Sequence, residues 1–176
     1  MTRRILVLAA VAMLAAPWAA ANRVGAQSAG KWDPATLEMF RTLPIQDEGR
    51  VKPLDTYASF LLLQLNGKRT FTQELDNGEK LRLDPMEWFL DCLFFPEIAR
   101  DYRHFIVDNV DVVTALGAKA PGAKQRNRFS YNDLLPARQQ LFMRAREAFE
   151  VEQTDRTAAQ NMLLALEGAL QNFEGV

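Results

Sequence analysis

Proline positions constrain the fold of this chain more than any other feature. Pro34 and Pro85 each follow an aspartate, and this pair places a capping carboxylate directly before the first residue of a helix. Pro44 and Pro53 flank a segment that also contains a glycine, so no continuous helix can cross it. Pro96 ends the helix that follows Pro85. The prolines therefore predict short helices separated by turns.

Apolar residues between these breaks recur at spacings of three and four, which is typical of amphipathic helices. The predicted fold class is mainly α, with one small β-hairpin, as a compact helical domain with a long C-terminal helix or helix pair. A break at Thr154-Asp155 would divide the C-terminal segment into that pair. The predicted helices span residues 34–41, 85–95, 110–116 and 136–173. Two further helices are predicted, one that is capped by Asp55 or Thr56 and ends at Asn66-Gly67, and one that begins after Ser130.

Turn residues predict where the chain leaves helical structure. Asn77-Gly78 lies between the alternating segments 70–75 and 79–83, and Asn-Gly favours a tight hairpin turn. Residues 43–54 are predicted to form an ordered loop, because their alternation is too weak for a long strand. His104–Val107 is a candidate short strand.

The N-terminal segment has the order of a signal peptide. In residues 1–26, two arginines precede an apolar run over 5–16, and small residues follow. Two cleavage sites, after Ala21 or after Ala26, stay open. The run is short for a bilayer span, although extension over 5–21 would allow an uncleaved anchor. We expect residues 27–176 to form one exported domain in a periplasmic or extracytoplasmic location.

Charge and composition narrow the classes of partner. The full chain has a net charge of -1, and removal of residues 1–26 leaves 18 basic and 22 acidic residues, a net charge of -4. A mildly acidic exported domain is not expected to bind nucleic acid. Residues 118–128 carry four basic side chains and no acid, which is typical of a solvated loop and is compatible with contact to an anionic membrane surface.

Chemistry-bearing residues are scarce. One cysteine and one histidine cannot form an internal disulfide or a Cys/His zinc site, and a catalytic triad would have only His104. No phosphate-binding glycine loop, nucleophile elbow or metal-spaced aspartate cluster is present. Cys92 is expected to be buried and inert, and His104 to be an ordinary packed or surface residue. The sequence therefore predicts no enzyme, no metal site and no cofactor.

Two blocks of the chain carry a family resemblance. The first is residues 43–58, LPIQDEGRVKPLDTYA, and the second begins at residues 83–90, LDPMEWFL. The second continues through 94–96, 104–108 and 128–134 in the same order. Together these blocks resemble the extracytoplasmic N-terminal domain of bacterial cytochrome c biogenesis proteins of the CcsA/ResC type, also called System II. The resemblance covers about residues 43–135.

The resemblance implies a non-catalytic accessory module of cytochrome c maturation that docks to a polytopic, haem-handling membrane protein. It places an interaction loop at Gly49, Arg50, Lys52, Pro53 and Asp55, for which a structural role is the alternative reading. The family's tryptophan-rich haem motif and membrane histidines have no counterpart here, so the haem ligands would belong to the partner. A free periplasmic binding or scaffold protein unrelated to haem is the alternative function.

Overall fold

The computed structural model describes residues 31–47, 49–75, 77–118 and 127–176, so the predicted signal peptide lies outside the described residues. The α-helices are α1 (Pro34–Arg41), α2 (Leu54–Asn66), α3 (Pro85–Phe94), α4 (Pro96–Ala99), α5 (Val110–Leu116), α6 (Tyr131–Leu134), α7 (Arg138–Phe149) and α8 (Ala158–Glu174). Short 3₁₀ turns at Leu135–Ala137 and Gln153–Asp155 precede α7 and α8. The mainly helical fold and the C-terminal helix pair are confirmed.

The helix starts follow from local side-chain chemistry. Asp33 accepts a hydrogen bond from the Thr36 N–H at the start of α1. Asp84 caps α3, where its carboxylate accepts from the Met86 and Glu87 N–H groups while Glu87 accepts from the Asp84 N–H. This reciprocal capping box satisfies donors that a helix start otherwise leaves unpaired.

The predicted cap of α2 is wrong. The helix begins at Leu54, with Pro53 as its N-cap and no side-chain hydrogen bond to the first turn. Asp55 instead lies within the first turn, where the helix dipole favours a carboxylate. The predicted end is confirmed, because Gly67 follows Asn66 with a left-handed φ of 67°.

Three antiparallel strand pairs connect the helices. The predicted hairpin is β3 (Phe71–Glu74) with β4 (Lys80–Leu83). The predicted loop 43–54 is instead a second hairpin, β1 (Pro44–Asp47) with β2 (Arg50–Pro53), and the sequence between these strands lacks the Asn-Gly signal that identifies β3 and β4. The predicted strand at 104–107 is confirmed as β5 (Phe105–Ile106), which pairs with β6 (Arg128–Phe129).

The buried apolar residues other than Ala145 and Ala148 form one cluster that extends from Leu54 to Phe173. The α2 and α3 helices pack against each other, as do α7 and α8, and α8 also contacts α2, α5 and β5. Trp88 is fully buried, as are the phenylalanines at positions 71, 105 and 129. This arrangement places α1 on α2 and α3 and leaves the outer face of α7 exposed.

The helical spacing of Met86, Phe89, Leu90, Leu93 and Phe94 predicts a buried face of α3, but two of these residues are exposed. Leu93 and Phe94 expose 39% and 54% of their surface, whereas Asp91 and Cys92 of the same turn are buried. Phe94 there packs against Trp32 and Phe40, with ring centroids 5.9 Å apart in each pair. The remaining predicted residues of this helix face, Met86, Phe89 and Leu90, are buried.

Candidate docking site

The five residues of the predicted interaction loop lie on the β1–β2 hairpin and the first turn of α2. Gly49 has a φ of 75° in the hairpin turn, a conformation that an L side chain rarely adopts. A Cβ added at Gly49 would meet no atom within 4 Å, so backbone conformation and not space requires glycine here. Pro53 ends β2 and leads directly into α2.

Lys52 and Asp55 stabilise the position of this hairpin. The Lys52 Nζ donates to the Asp47 Oδ2 at 2.5 Å across the strand pair. The Asp55 Oδ1 lies 3.8 Å from the Arg41 Nε, and a terminal nitrogen of Arg41 also binds the Asp84 carboxylate. Arg41 therefore ties the start of α2 to the cap of α3.

The two blocks that carry the family resemblance meet in space. Asp55 and Tyr57 belong to the first block, and Asp84 and Phe89 to the second. The Tyr57 and Phe89 rings contact edge to face with centroids 5.7 Å apart, while Arg41 bridges the two aspartates. The resembling segments thus form one packed unit.

Arg50 and Val51 are two of the exposed residues of the hairpin. Arg50 is exposed and forms no ion pair with another described residue, and Val51 exposes 74% of its surface. These two side chains are available to a partner. Lys52 and Asp55, in contrast, are engaged within the domain.

A groove of about 370 Å³ lies beside the hairpin. Its floor contains Tyr57, Phe60 and Leu61 from α2, and the Lys52–Asp47 pair lies at its rim. Phe60 exposes 49% of its surface, with the Arg69 guanidinium 5.0 Å from its ring centroid. The groove can accept a side chain or a short segment from solvent.

His104 is enclosed and is not available as a surface ligand. The residue has no exposed surface, and its ring lies 4.4 Å from the Phe105 ring and 4.9 Å from the Phe173 ring between centroids. Neither ring nitrogen has a hydrogen-bond partner among the described residues. Burial, with a smaller contribution from the Arg128 charge, lowers the pKa of His104 to about 3, so the imidazole is neutral.

Cys92 is buried, as predicted, and burial raises the pKa of its thiol well above the ordinary value, which disfavours the reactive thiolate.

Beside Cys92 lies a buried carboxylate, that of Asp91, which sequence reasoning missed. Asp91 accepts hydrogen bonds from the Trp32 Nε1 at 2.8 Å and from the Tyr102 hydroxyl at 2.5 Å. The Trp32 bond attaches the segment before α1 to α3, and the Tyr102 bond attaches the segment after α4 to the same helix. In the sequence, only the position of Asp91 on an apolar helix indicates these bonds.

Sequence reasoning also missed an exposed apolar stripe at α7 and the 3₁₀ turn before it. The stripe consists of Leu135, Phe142 and Phe149, which expose 49%, 47% and 68% of their surfaces. Residues seven positions apart return to the same face of an α-helix, so Phe142 and Phe149 are aligned, and Leu135 lies in the preceding 3₁₀ turn. The helical spacing from Leu141 and Ala145 predicts a buried residue at Ala148 or Phe149, and of these two only Ala148 is buried.

Two arginines accompany the stripe. Arg146 is exposed between Phe142 and Phe149 and forms no ion pair with any described residue. Arg156 lies 5.7 Å from the Phe149 ring centroid, and its donors bind the main-chain oxygens of Ala148, Phe149 and Val151. Both positive charges therefore lack a carboxylate within the described part of the domain.

Residues 31–47, 49–75, 77–118 and 127–176 contain no group of three or more His, Cys, Asp or Glu residues placed to hold a metal ion. Within the same ranges, no helix combines the length and apolarity needed to cross a bilayer. Most of the predicted basic loop, residues 119–126, lies outside the described structure.

Comparison with protein-family models and with curated proteins gave no match.

Proposed function

We propose that this chain is a non-catalytic, extracytoplasmic accessory module of cytochrome c maturation. It docks to a polytopic membrane protein that handles haem, through the exposed stripe of α7 and the outward face of the β1–β2 hairpin. The observation that carries the docking role is the stripe, because three large exposed apolar side chains, two of them aligned on α7 and one in the turn before it, favour a protein contact over solvent.

The assignment to cytochrome c maturation is supported by the resemblance of residues 43–135 to System II proteins. The packing of its two blocks against each other is consistent with one shared structural unit. The chain would contribute binding surface only, since His104 is enclosed and its imidazole cannot reach haem without opening the core. Periplasmic location is part of this proposal and rests on the signal-like residues 1–26.

Affinity capture from detergent-solubilised membranes tests this function. We expect the tagged full chain to recover a multi-span cytochrome-assembly protein, and the double variant Phe142→Ser, Phe149→Ser to recover at least tenfold less. Met39→Ser is the matched control, because Met39 is 56% exposed on α1, away from the stripe. Failure of the unmodified chain to recover any cytochrome-assembly membrane protein would contradict the proposed function.

The groove beside the hairpin favours a second candidate, a free periplasmic binding protein unrelated to haem. Its apolar floor and charged rim suit a small ligand or peptide end. Under this alternative, a thermal-shift screen would find a ligand whose stabilisation is lost in Tyr57→Ala, and cytochrome c assembly would not depend on the chain.

A further inference from the structure

We infer that the α7 stripe binds an amphipathic helix of its partner, with apolar residues at seven-residue intervals and carboxylates beside them. This inference rests on the proposed docking function and specifies the chemistry of its contact. A seven-residue repeat of apolar side chains is the pattern with which one helix packs along another. Phe142 and Phe149 supply two such positions on the surface of α7, and Leu135 is exposed in the 3₁₀ turn at its start.

The charges beside the stripe indicate which kind of helix the partner would present. Arg146 lies about 40° around α7 from Phe142, within the face that a second helix would cover, and Arg156 lies over Phe149. Neither arginine has a carboxylate partner among the described residues. Glu150 and Glu147 lie farther around the helix, about 80° and 140° from Phe142, so the Arg146 charge is nearer to the stripe than either glutamate. A partner helix with glutamates or aspartates beside its apolar stripe would complete the ion pairs.

The same charges disfavour a parallel pair of two copies of this chain as the occupant, because Arg146 would face its own copy. Like charges at a helix interface cost binding free energy. In an antiparallel pair centred on Phe142, Arg146 would face Arg138, whose charge is already paired with Glu167 and Glu174. An acidic helix supplies Arg146 with a carboxylate that neither symmetric arrangement places opposite it.

Fluorescence anisotropy with designed peptides tests this inference directly. The probes are two 28-residue helical peptides with leucines on the same seven-residue repeat, one flanked by glutamates and the other by lysines. We expect the full chain to bind the glutamate peptide at least tenfold more tightly than the lysine peptide. The preference should shrink as salt is raised, because screening weakens exposed charge pairs.

Variants separate the apolar and charged contributions. Phe142→Ser should weaken binding of the glutamate peptide at least tenfold, and Arg146→Glu should remove or reverse the preference between peptides. Met39→Ser, on α1, should change neither value. Circular dichroism should be unchanged in all three variants, since each altered side chain is exposed.

Equal affinity for the two peptides, or no binding of either, would overturn the inference. A dimer in analytical ultracentrifugation that Phe142→Ser dissociates would assign the stripe to a second copy and also overturn it. Stripe-dependent binding to phosphatidylcholine/phosphatidylglycerol vesicles, without binding of the glutamate peptide, would assign it to lipid. Membrane-protein capture that succeeds while peptide binding fails would retain the proposed function and reject only the acidic-helix contact.

Discussion

His104 shows how the domain fixes the charge state of one residue. The rings of Phe71, Trp88, Phe105 and Phe173 surround it, with centroids 4.4 to 6.4 Å from its own. Arg128 is the charged group whose field acts on it, and that field also opposes protonation. Water is excluded from the ring, so a positive charge there would be poorly solvated.

We predict that His104 makes folding sensitive to mild acid. The folded pKa is about 3, whereas an unfolded imidazole has a pKa of 6.5, so below pH 6.5 the unfolded chain binds a proton that the folded domain does not. The resulting penalty is absent well above pH 6.5 and grows as pH falls toward 3. Between pH 7 and pH 5 it should reduce the free energy of unfolding by about 2 kcal/mol.

Urea unfolding of the unmodified chain and of His104→Leu measures this effect. Leucine is apolar and cannot titrate, so the difference between the two proteins should change by about 2 kcal/mol over this range, in favour of the variant at pH 5. A difference that stays constant with pH would contradict the assignment. Carboxylate titration contributes to both proteins and cancels in the comparison.

The elements that could be predicted from sequence are those specified by adjacent residues. Asp84, Pro85 and Glu87 define the start of α3 within four positions, and Gly67 and Gly117 end their helices with φ of 67° and 61°. The β1–β2 hairpin was missed because the sequence between its strands lacks the Asn-Gly pair that identifies the equally short β3–β4 hairpin. The prediction for His104 left packed and surface positions open, because the residues that bury it, Phe71 and Phe173, come from distant parts of the chain.

The residues of the candidate site also fall into those that adjacent sequence predicts and those that depend on contacts between distant segments. Gly49 and Pro53 could be identified as turn and boundary residues from their types alone, but the ion pairs of Lys52 and Asp55 depend on how β1 and α1 pack. The α7 stripe did carry a signal, the seven-residue spacing of Leu135, Phe142 and Phe149. That spacing alone does not say whether the face is covered by the domain's own core.

The capping box of α3 should contribute measurably to global stability. Asp84→Ala removes two hydrogen bonds to the helix start and the contact with Arg41, so we expect the free energy of unfolding to fall by about 1–2 kcal/mol. Asp33→Ala is the matched control, because α1 has no fully buried residue and can fray locally. Chemical denaturation should show a change below about 0.5 kcal/mol for the control. Equal losses in the two variants would refute this ranking.

Arg138 joins the two C-terminal helices. Its guanidinium donates to Glu167 at 2.5 Å and to the two carboxylate oxygens of Glu174 at 3.0 and 3.1 Å. These hydrogen bonds lower the pKa of Glu174, so their contribution is present above pH 4.5 and is lost as pH falls through the lowered pKa. The α7–α8 pair, which presents the stripe, therefore depends on this arginine.

We expect Arg138→Met to lower the free energy of unfolding by roughly 2 kcal/mol, because Glu167 is buried and would lose its charge partner. Adding Glu167→Leu should recover part of the loss by removing the uncompensated carboxylate. Arg144→Met, at an exposed position without an ion pair among the described residues, should change stability by less than about 0.5 kcal/mol. Thermal or urea unfolding distinguishes these outcomes, and an Arg138→Met variant as stable as Arg144→Met would show that the link is unimportant.

At the scale of the whole molecule, the described part of the domain combines an enclosed core with one conspicuous unpartnered surface. The single histidine of the sequence, His104, is fully buried, and the single cysteine, Cys92, is also buried. The outward face of α7 instead offers apolar contact and positive charge. This exposed face is the feature that supports the proposed role in binding.

Cytochrome assembly in living cells tests the central claim most directly. Haem staining of denatured membrane proteins reports c-type cytochromes with covalently attached haem, while b-type cytochromes in the same cells serve as an internal control. We predict that deletion of the chain lowers the c-type signal severalfold at unchanged b-type levels, and that the unmodified chain restores it while Phe142→Ser, Phe149→Ser does not. An unchanged c-type signal in the deletion strain would contradict the account.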